Sequence, residues 1–127
     1  MYKRQCLDSA RYGISWGAIG AGMDCYQTSL SYSKERIQFD KAIGSKQLQQ
    51  KKLAEMITEI TKAQLLAWRL GVLKNEGNAT SVQISMAKRN NVEIAINIAR
   101  EARQILGAMG ITGEYSIMRH MLSLIHI

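Results

Sequence analysis

Not one proline interrupts the 127 residues of this chain. Proline fixes φ and removes a backbone donor, so inside a helix it costs about 3 kcal/mol relative to alanine. Its absence allows long helices, and the apolar residues recur at helical spacing. Leu53, Met56, Ile57, Ile60 and Ala63 follow i, i+3, i+4, i+7 and i+10, and Ala67 and Leu70 continue the stripe. Val92, Ala95, Ala99, Ala102 and Leu106 form a second stripe, widened by Ile94 and Ile98. An earlier block, from about Leu7 to Lys34, aligns Ala10, Gly13, Gly17 and Ala21, with Ile14 and Met23 extending the surface. Small residues on one face predict close approach of another helix. Arg11 and Asp24 flank the Gly13-x-x-x-Gly17 pair, so the contact reads as a soluble one rather than a membrane dimer motif. The pattern predicts an all-α fold, an up-down helical bundle whose last helix begins near Tyr115 and is truncated.

The breaks between blocks carry their own signals. Phe39-Asp40-Lys41-Ala42-Ile43-Gly44 precedes Ser45, which is expected to cap the second helix. Asn75-Glu76-Gly77-Asn78 is a turn rich in residues that tolerate left-handed backbone. Thr80-Ser81-Val82-Gln83 reads as a capping box opening the third helix. Gly107-Ala108-Met109-Gly110 closes it.

A net charge of +7 admits nucleic acid or a phosphate-rich small molecule as partner. The cations are dispersed from Lys34 and Arg36 through Lys51 and Lys52 to Lys88, Arg89 and Arg100, with no arginine-rich run, so no nucleic acid is expected. Cys6 and Cys25 each fall inside a helical block and read as free buried thiols of a reducing, cytoplasmic protein. His120 and His126 lack Glu or Cys partners at ligand spacing, so no metal site is expected. No apolar run is long enough for a membrane span, and the first residues show no leader pattern.

Two strings at block ends suit a ligand. Arg36-Ile37-Gln38-Phe39 offers a forked cation for phosphate, an amide for a ring edge and an aromatic cover for a flat ring. The same string also fits an exposed arginine beside an aromatic plug. Gln104-Ile105-Leu106-Gly107-Ala108 exposes backbone among small residues, or simply ends a helix on glycine. Glu35, Glu55, Glu59, Glu101 and Glu114 all have simpler roles than proton transfer, and no Ser/His/Asp or Cys/His arrangement is assembled from spacing alone.

Taken together, Arg36, Gln38 and Phe39, then Gln47, then Gln104, Gly107, Ala108 and Gly110, resemble the ordered motifs of the acyl-CoA dehydrogenase family's C-terminal helical domain, over about residues 6–121. Within the family, Cys6-Leu7-Asp8-Ser9-Ala10-Arg11-Tyr12-Gly13 with Trp16-Gly17 is similar to the glutaryl-CoA dehydrogenases. Lys88-Arg89-Asn90-Asn91, Gly113-Glu114-Tyr115 and Arg119-His120 share that similarity. The resemblance implies a subunit with two further domains, assembled as a homotetramer and using FAD. It implies that Arg36, Gln38, Phe39 and Gln47 contact FAD, and that Gln104, Ile105, Leu106, Gly107 and Ala108 meet the adenine side of a neighbouring subunit's FAD. Cys6, Leu7, Asp8, Ser9, Ala10, Arg11, Tyr12 and Gly13 would line the acyl-CoA site. The implied reaction is α,β-dehydrogenation with decarboxylation to crotonyl-CoA, with electrons passing to an electron-transfer flavoprotein.

The chain departs from the family pattern in three places. Asp40 stands where the family has glycine, and Ala108 replaces the second glycine of a pair. After Arg119-His120-Met121 the family continues to a Tyr-Glu-Gly-Thr string bearing the catalytic glutamate, whereas this chain reads Leu122-Ser123-Leu124-Ile125-His126-Ile127. Residues 1–5 and 122–127 are therefore expected to be non-native tails, and the fragment to be inactive without that glutamate. The competing expectation is a free-standing helical binding or assembly module that uses its basic surface.

Overall fold

A computed structural model describes residues 2–125, with side chains from 3 to 124. Helix α1 spans Tyr2–Glu35 and leads into a minimal antiparallel hairpin, β1 (Ile37–Gln38) and β2 (Lys41–Ala42). A 3₁₀ turn at Ile43–Ser45 precedes α2 (Gln47–Asn75). Helix α3 (Ser81–Leu106) passes through a 3₁₀ segment at Gly107–Ile111 to α4 (Ile117–Ile125). The all-α bundle read from the sequence is the fold observed. Met1, His126 and Ile127 lie outside the described residues, and with them parts of the two expected tails. Residues 3–5 extend α1 as an exposed turn, while Leu124 is buried in the core.

Helices α1 and α3 run side by side in the same direction and make the most extensive contact in the bundle. Small residues allow it. Gly22 of α1 lies where an added Cβ would stand 3.6 Å from the Ile98 Cδ1 and 3.8 Å from the Ala95 backbone. Ser15, Ala18, Gly22, Cys25, Ser29 and Ser33 are the buried face of α1. The buried hydroxyls bond back one turn, Ser15 to the Arg11 carbonyl at 3.0 Å, Ser29 to Cys25 at 2.7 Å and Ser33 to Ser29 at 2.6 Å. They thus bury no unpaired donor. Of the expected face, Ala10, Gly13 and Gly17 are instead exposed, with nothing within 4 Å of a Cβ added at either glycine, while Ala21 and Ile14 pack half-buried against the core. α1 carries small residues on two sides, and only tertiary contact decides which is buried.

The stripes of α2 and α3 are buried as their periodicity predicts: Leu53, Met56, Ile60, Ala63, Ala67 and Leu70, then Val92, Ala95, Ile98, Ala99, Ala102 and Leu106. Ile57, at 41% exposure, and half-buried Ile94 lie on the edges of their stripes. Thr80 accepts from the Gln83 amide and the Gln83 side chain accepts from the Thr80 amide, so the capping box forms as expected. Ser45 does not cap α2. Its hydroxyl donates to the Ala42 carbonyl at 2.7 Å, closing the 3₁₀ turn, and Lys46 occupies the cap position without a side-chain bond. At the other end of α2, Gly77 adopts φ of 73° and the Asn78 amide donates to the Leu73 carbonyl at 2.8 Å, a glycine C-cap.

Candidate functional site

Chain direction sorts the polar strings to the two ends of the bundle. The C-terminus of α1, the N-terminus of α2 and the C-terminus of α3 share one end. Lys52 and Glu101, 2.9 Å apart, fasten the early part of α2 beside the late part of α3. Ile43, Leu53, Ile105 and Leu106 belong to one core cluster beneath that end.

Arg36 follows α1 directly. Its amide donates to the Tyr32 carbonyl and its own carbonyl accepts from Ile43, both at 2.9 Å, so its backbone is fixed. Its guanidinium is exposed and forms no ion pair with the described residues. The hairpin turn is Phe39-Asp40, with φ of 53° and 64°. Both central residues of such a two-residue turn need positive φ, which ordinarily selects Asn-Gly. A phenylalanine there carries backbone strain, of order 1–3 kcal/mol. The Phe39 ring is 87% exposed, with the Lys46 ammonium 4.5 Å from its centroid.

Gln38 and Gln47 are exposed on the same end. So are Gln104, Gly107 and Ala108, whereas the Ile105 and Leu106 side chains turn into the core and leave only their backbone to a ligand. Gly107 takes φ of 59° and opens the 3₁₀ segment. Gly110 is fixed by packing: an added Cβ would stand 2.7 Å from the Arg103 carbonyl oxygen. An open groove of 450 Å³ lies between α1, the 3₁₀ turn and α2, bordered by Leu30, Lys34, Ala42, Gly44 and Leu53. This end offers an exposed guanidinium, an exposed ring, amides and exposed backbone. That donor set fits a ligand with phosphates and a flat ring.

The opposite end holds Cys6 to Gly13. Arg11 and Asp8 are 3.5 Å apart, and the Ser81 hydroxyl, at the start of α3, donates to Asp8 at 2.6 Å. Tyr12 packs against the cluster of Leu70, Ile84 and Ala87. Its hydroxyl would stand 2.6 Å from a Cβ on Gly71, and the Lys74 ammonium lies 5.3 Å from its ring centroid. Ser81, Gly71 and Lys74 were not singled out by sequence. Ser81 was absorbed into the capping box, and nothing local signals its partner 73 residues away. Leu7, Ser9, Ala10 and Gly13 are exposed, and so is Cys6, whose thiol was expected to be buried. It lies on the side of α1 opposite Ser15 and the rest of the packed face. Cys25 is buried, and burial, reinforced by the Asp24 charge, pushes its thiol up to about 12. It is chemically inert.

Arg11 and Glu35 are separated by about 36 Å along α1 at 1.5 Å per residue. The two strings therefore do not form one pocket within this chain.

Spacing also missed the junction of α1 and α4. The Ser116 hydroxyl donates to Asp24 at 2.5 Å, and His120 Nε2 lies 2.8 Å from the same carboxylate oxygen. Ser116 chiefly, with His120 and Arg119, holds the Asp24 carboxyl below its ordinary value against an opposing push from burial. The carboxylate stands between hydroxyl and imidazole, so this is not a nucleophile–base relay, in which the imidazole must touch the hydroxyl. It fastens α4 to α1. Three of the five glutamates set aside as bases form ordinary pairs: Glu55 with Lys51, Glu59 with Lys62, and Glu101 with Lys52 rather than its flanking arginines. No helix among the described residues is long and apolar enough to cross a membrane.

Residues 2–124 match the family model of the acyl-CoA dehydrogenase C-terminal domain. The short-chain specific acyl-CoA dehydrogenase of Megasphaera elsdenii is 35% identical over 91% of this chain and 30% of its own length. The structure of glutaryl-CoA dehydrogenase from Mycobacterium smegmatis superposes with a TM-score of 0.94 at 52% identity, covering 96% of this chain and 32% of that one. A second structure of a glutaryl-CoA dehydrogenase from that organism, in complex with FADH2, superposes with a TM-score of 0.94 at 46% identity, over 97% of this chain and 32% of that one. The chain thus spans about a third of the proteins it matches.

Proposed function

Because the chain belongs to the acyl-CoA dehydrogenase family through its C-terminal domain, we propose that it forms the flavin-facing and CoA-facing helical part of an FAD-dependent acyl-CoA dehydrogenase. The observation that carries this reading is that Arg36, Phe39, Gln47 and Gln104 stand exposed at one end of the bundle, a set of groups suited to FAD. FAD, when bound, supplies the acceptor for the hydride leaving the substrate's β-carbon. Arg36 answers the pyrophosphate, Phe39 covers a ring, and Gln38 and Gln47 donate amide hydrogens. Gln104, Gly107 and Ala108, with the backbone of Ile105 and Leu106, serve the adenine side of a second subunit's FAD. The length of α1 between Arg11 and Glu35 supports assigning the flavin-facing string and the Cys6 to Gly13 string of one chain to separate sites in a homotetramer.

At the other end, Asp8 and Ser81 steady Arg11 toward the acyl-CoA. Glutaryl-CoA is the proposed substrate, with loss of CO2 to crotonyl-CoA and an electron-transfer flavoprotein as electron acceptor. The string Cys6 to Gly13 and the 52% identity to the Mycobacterium enzyme support it. The Megasphaera relative favours a second reading, a short straight-chain acyl-CoA.

The base belongs to a Tyr-Glu-Gly-Thr string that these 127 residues do not contain. The chain alone is therefore expected to show no turnover with glutaryl-CoA and a dye acceptor. Turnover well above a free-flavin control would overturn that statement. In the DNA of the source locus, a β-domain coding region fused in frame upstream of Cys6 is expected. Its absence would favour a free-standing helical module.

A further inference from the structure

Lys46 is absent from the flavin reading, although it touches one of the groups that carry it. Its ammonium lies 4.5 Å from the Phe39 centroid and forms no ion pair with a described residue. Lys51 and Lys52, farther along α2, pair with Glu55 and Glu101. A cation over an exposed ring is weakly held. A phosphate oxygen is a stronger partner for an ammonium, because both groups are charged. Lys46 is exposed, and its flexible stem leaves the charge free to change partners.

Backbone hydrogen bonds place this ammonium near Arg36. The Ile43 amide donates to the Arg36 carbonyl at 2.9 Å, and the Lys46 amide donates to the Ile43 carbonyl at 3.1 Å. The two cations therefore spring from one short, fixed path, and Phe39 sits at the tip of the hairpin that this path closes. Lys46 immediately precedes Gln47, so the ring face beneath its ammonium is turned toward the start of α2. A flat ligand packs about 3.5–4.0 Å from the ring it covers. On that face it takes the space that the ammonium fills. The ammonium must leave as such a ring arrives, and the anion that arrives with the ring is the ligand's own diphosphate. We propose that Lys46 is a further flavin ligand, an ammonium that covers the Phe39 ring before flavin binds and passes to the diphosphate, beside Arg36, when it does. The inference rests on the proposed flavin reading and adds to it a residue and an exchange of contacts.

Titration of the whole apoprotein with FAD, read by flavin fluorescence, tests the proposal. Lys46→Met keeps the stem and removes the charge, and is expected to weaken FAD binding about tenfold. Lys46→Arg restores a cation and is expected to return to within about threefold of the parent. In a Phe39→Ala background Lys46→Met is expected to weaken FAD about tenfold again, because the diphosphate contact does not pass through the ring. Far-UV circular dichroism verifies that each variant is folded. The exchange itself is read by proton NMR of the 127-residue chain. Ring currents move the Lys46 ε-methylene protons upfield, and inorganic pyrophosphate is expected to return them toward their position in Phe39→Ala. Unchanged FAD affinity in Lys46→Met, or Lys46→Arg as weak as Lys46→Met, would overturn the proposal. No further loss in the Phe39→Ala background would reduce Lys46 to steadying the ring and overturn it equally. So would a Lys46 resonance insensitive to pyrophosphate. Arg36→Ala separates this failure from that of the flavin reading. FAD lost in Arg36→Ala but kept in Lys46→Met removes Lys46 alone, whereas FAD kept in both removes the flavin reading of this end as well.

Discussion

Where α1 stops, Arg36, Gln38, Phe39, Gln47 and Gln104 stand exposed, with Phe39 in a strained turn. Where α1 starts, Arg11, Asp8 and Ser81 hold one another, and Tyr12 is clasped by Gly71 and Lys74. The first end keeps its polar groups for something outside the chain. The second uses most of its polar groups to position one arginine. Substitutions at the first should therefore change what the protein binds, unless they touch its backbone packing. At the second they should change local order and stability together.

The glycines of the two ends give the largest expected difference. At the first end, Gly110→Ala drives a methyl into the Arg103 backbone, where Cα and carbonyl oxygen lie 2.9 and 2.7 Å from the new atom. Backbone cannot step aside, so the cost is expected at about 2–3 kcal/mol in urea unfolding. At the second end, Gly71→Ala meets only the far end of the Tyr12 side chain. That ring can move, and the loss should stay below about 1 kcal/mol. Equal losses at the two positions would erase the distinction.

Next in size is the network at the second end. Ser81→Ala removes the hydroxyl that donates to Asp8, and Asp8→Ala also frees Arg11. Each is expected to cost about 1 kcal/mol, measured by thermal unfolding. Arg36→Ala, with no ion-pair partner among the described residues to lose, should lie within about 0.5 kcal/mol of the parent.

The smallest effect concerns the junction of α1 and α4. A carboxyl held below its ordinary value in the folded state contributes stability above the carboxylate range, and that contribution is lost as pH falls through the folded value. The melting temperature of the parent should therefore fall more steeply than that of Asp24→Asn below about pH 4. Parallel curves would show that Ser116 and His120 do not engage Asp24 in solution.

Much of the bundle was legible because burial leaves a period. The stripes of α2 and α3 and the capping box at Thr80 follow from spacing and side-chain chemistry alone. The buried face of α1 was not legible, since Ala10, Gly13 and Gly17 compete with Ala18, Gly22 and Cys25, and both sets are small. The hairpin after Arg36 was hidden because Phe39 and Asp40 occupy positive φ without a glycine to announce it. The ligand-facing strings were legible as chemistry, and their assignment to opposite ends required the helix between them. Ser81 and the pairing of Asp24 with His120 depend on contacts across the fold that no local pattern encodes.

The most direct test is the flavin content of the whole protein, read as the ratio of flavin to protein absorbance after gel filtration. Arg36→Ala, by losing a charge-assisted hydrogen bond, and Phe39→Ala, by losing a ring contact, are each expected to weaken FAD retention about tenfold or more, while Ser81→Ala keeps the parent ratio. An unchanged ratio in Arg36→Ala and Phe39→Ala, with flavin lost in Ser81→Ala instead, would contradict the assignment of the flavin to the end where α1 stops.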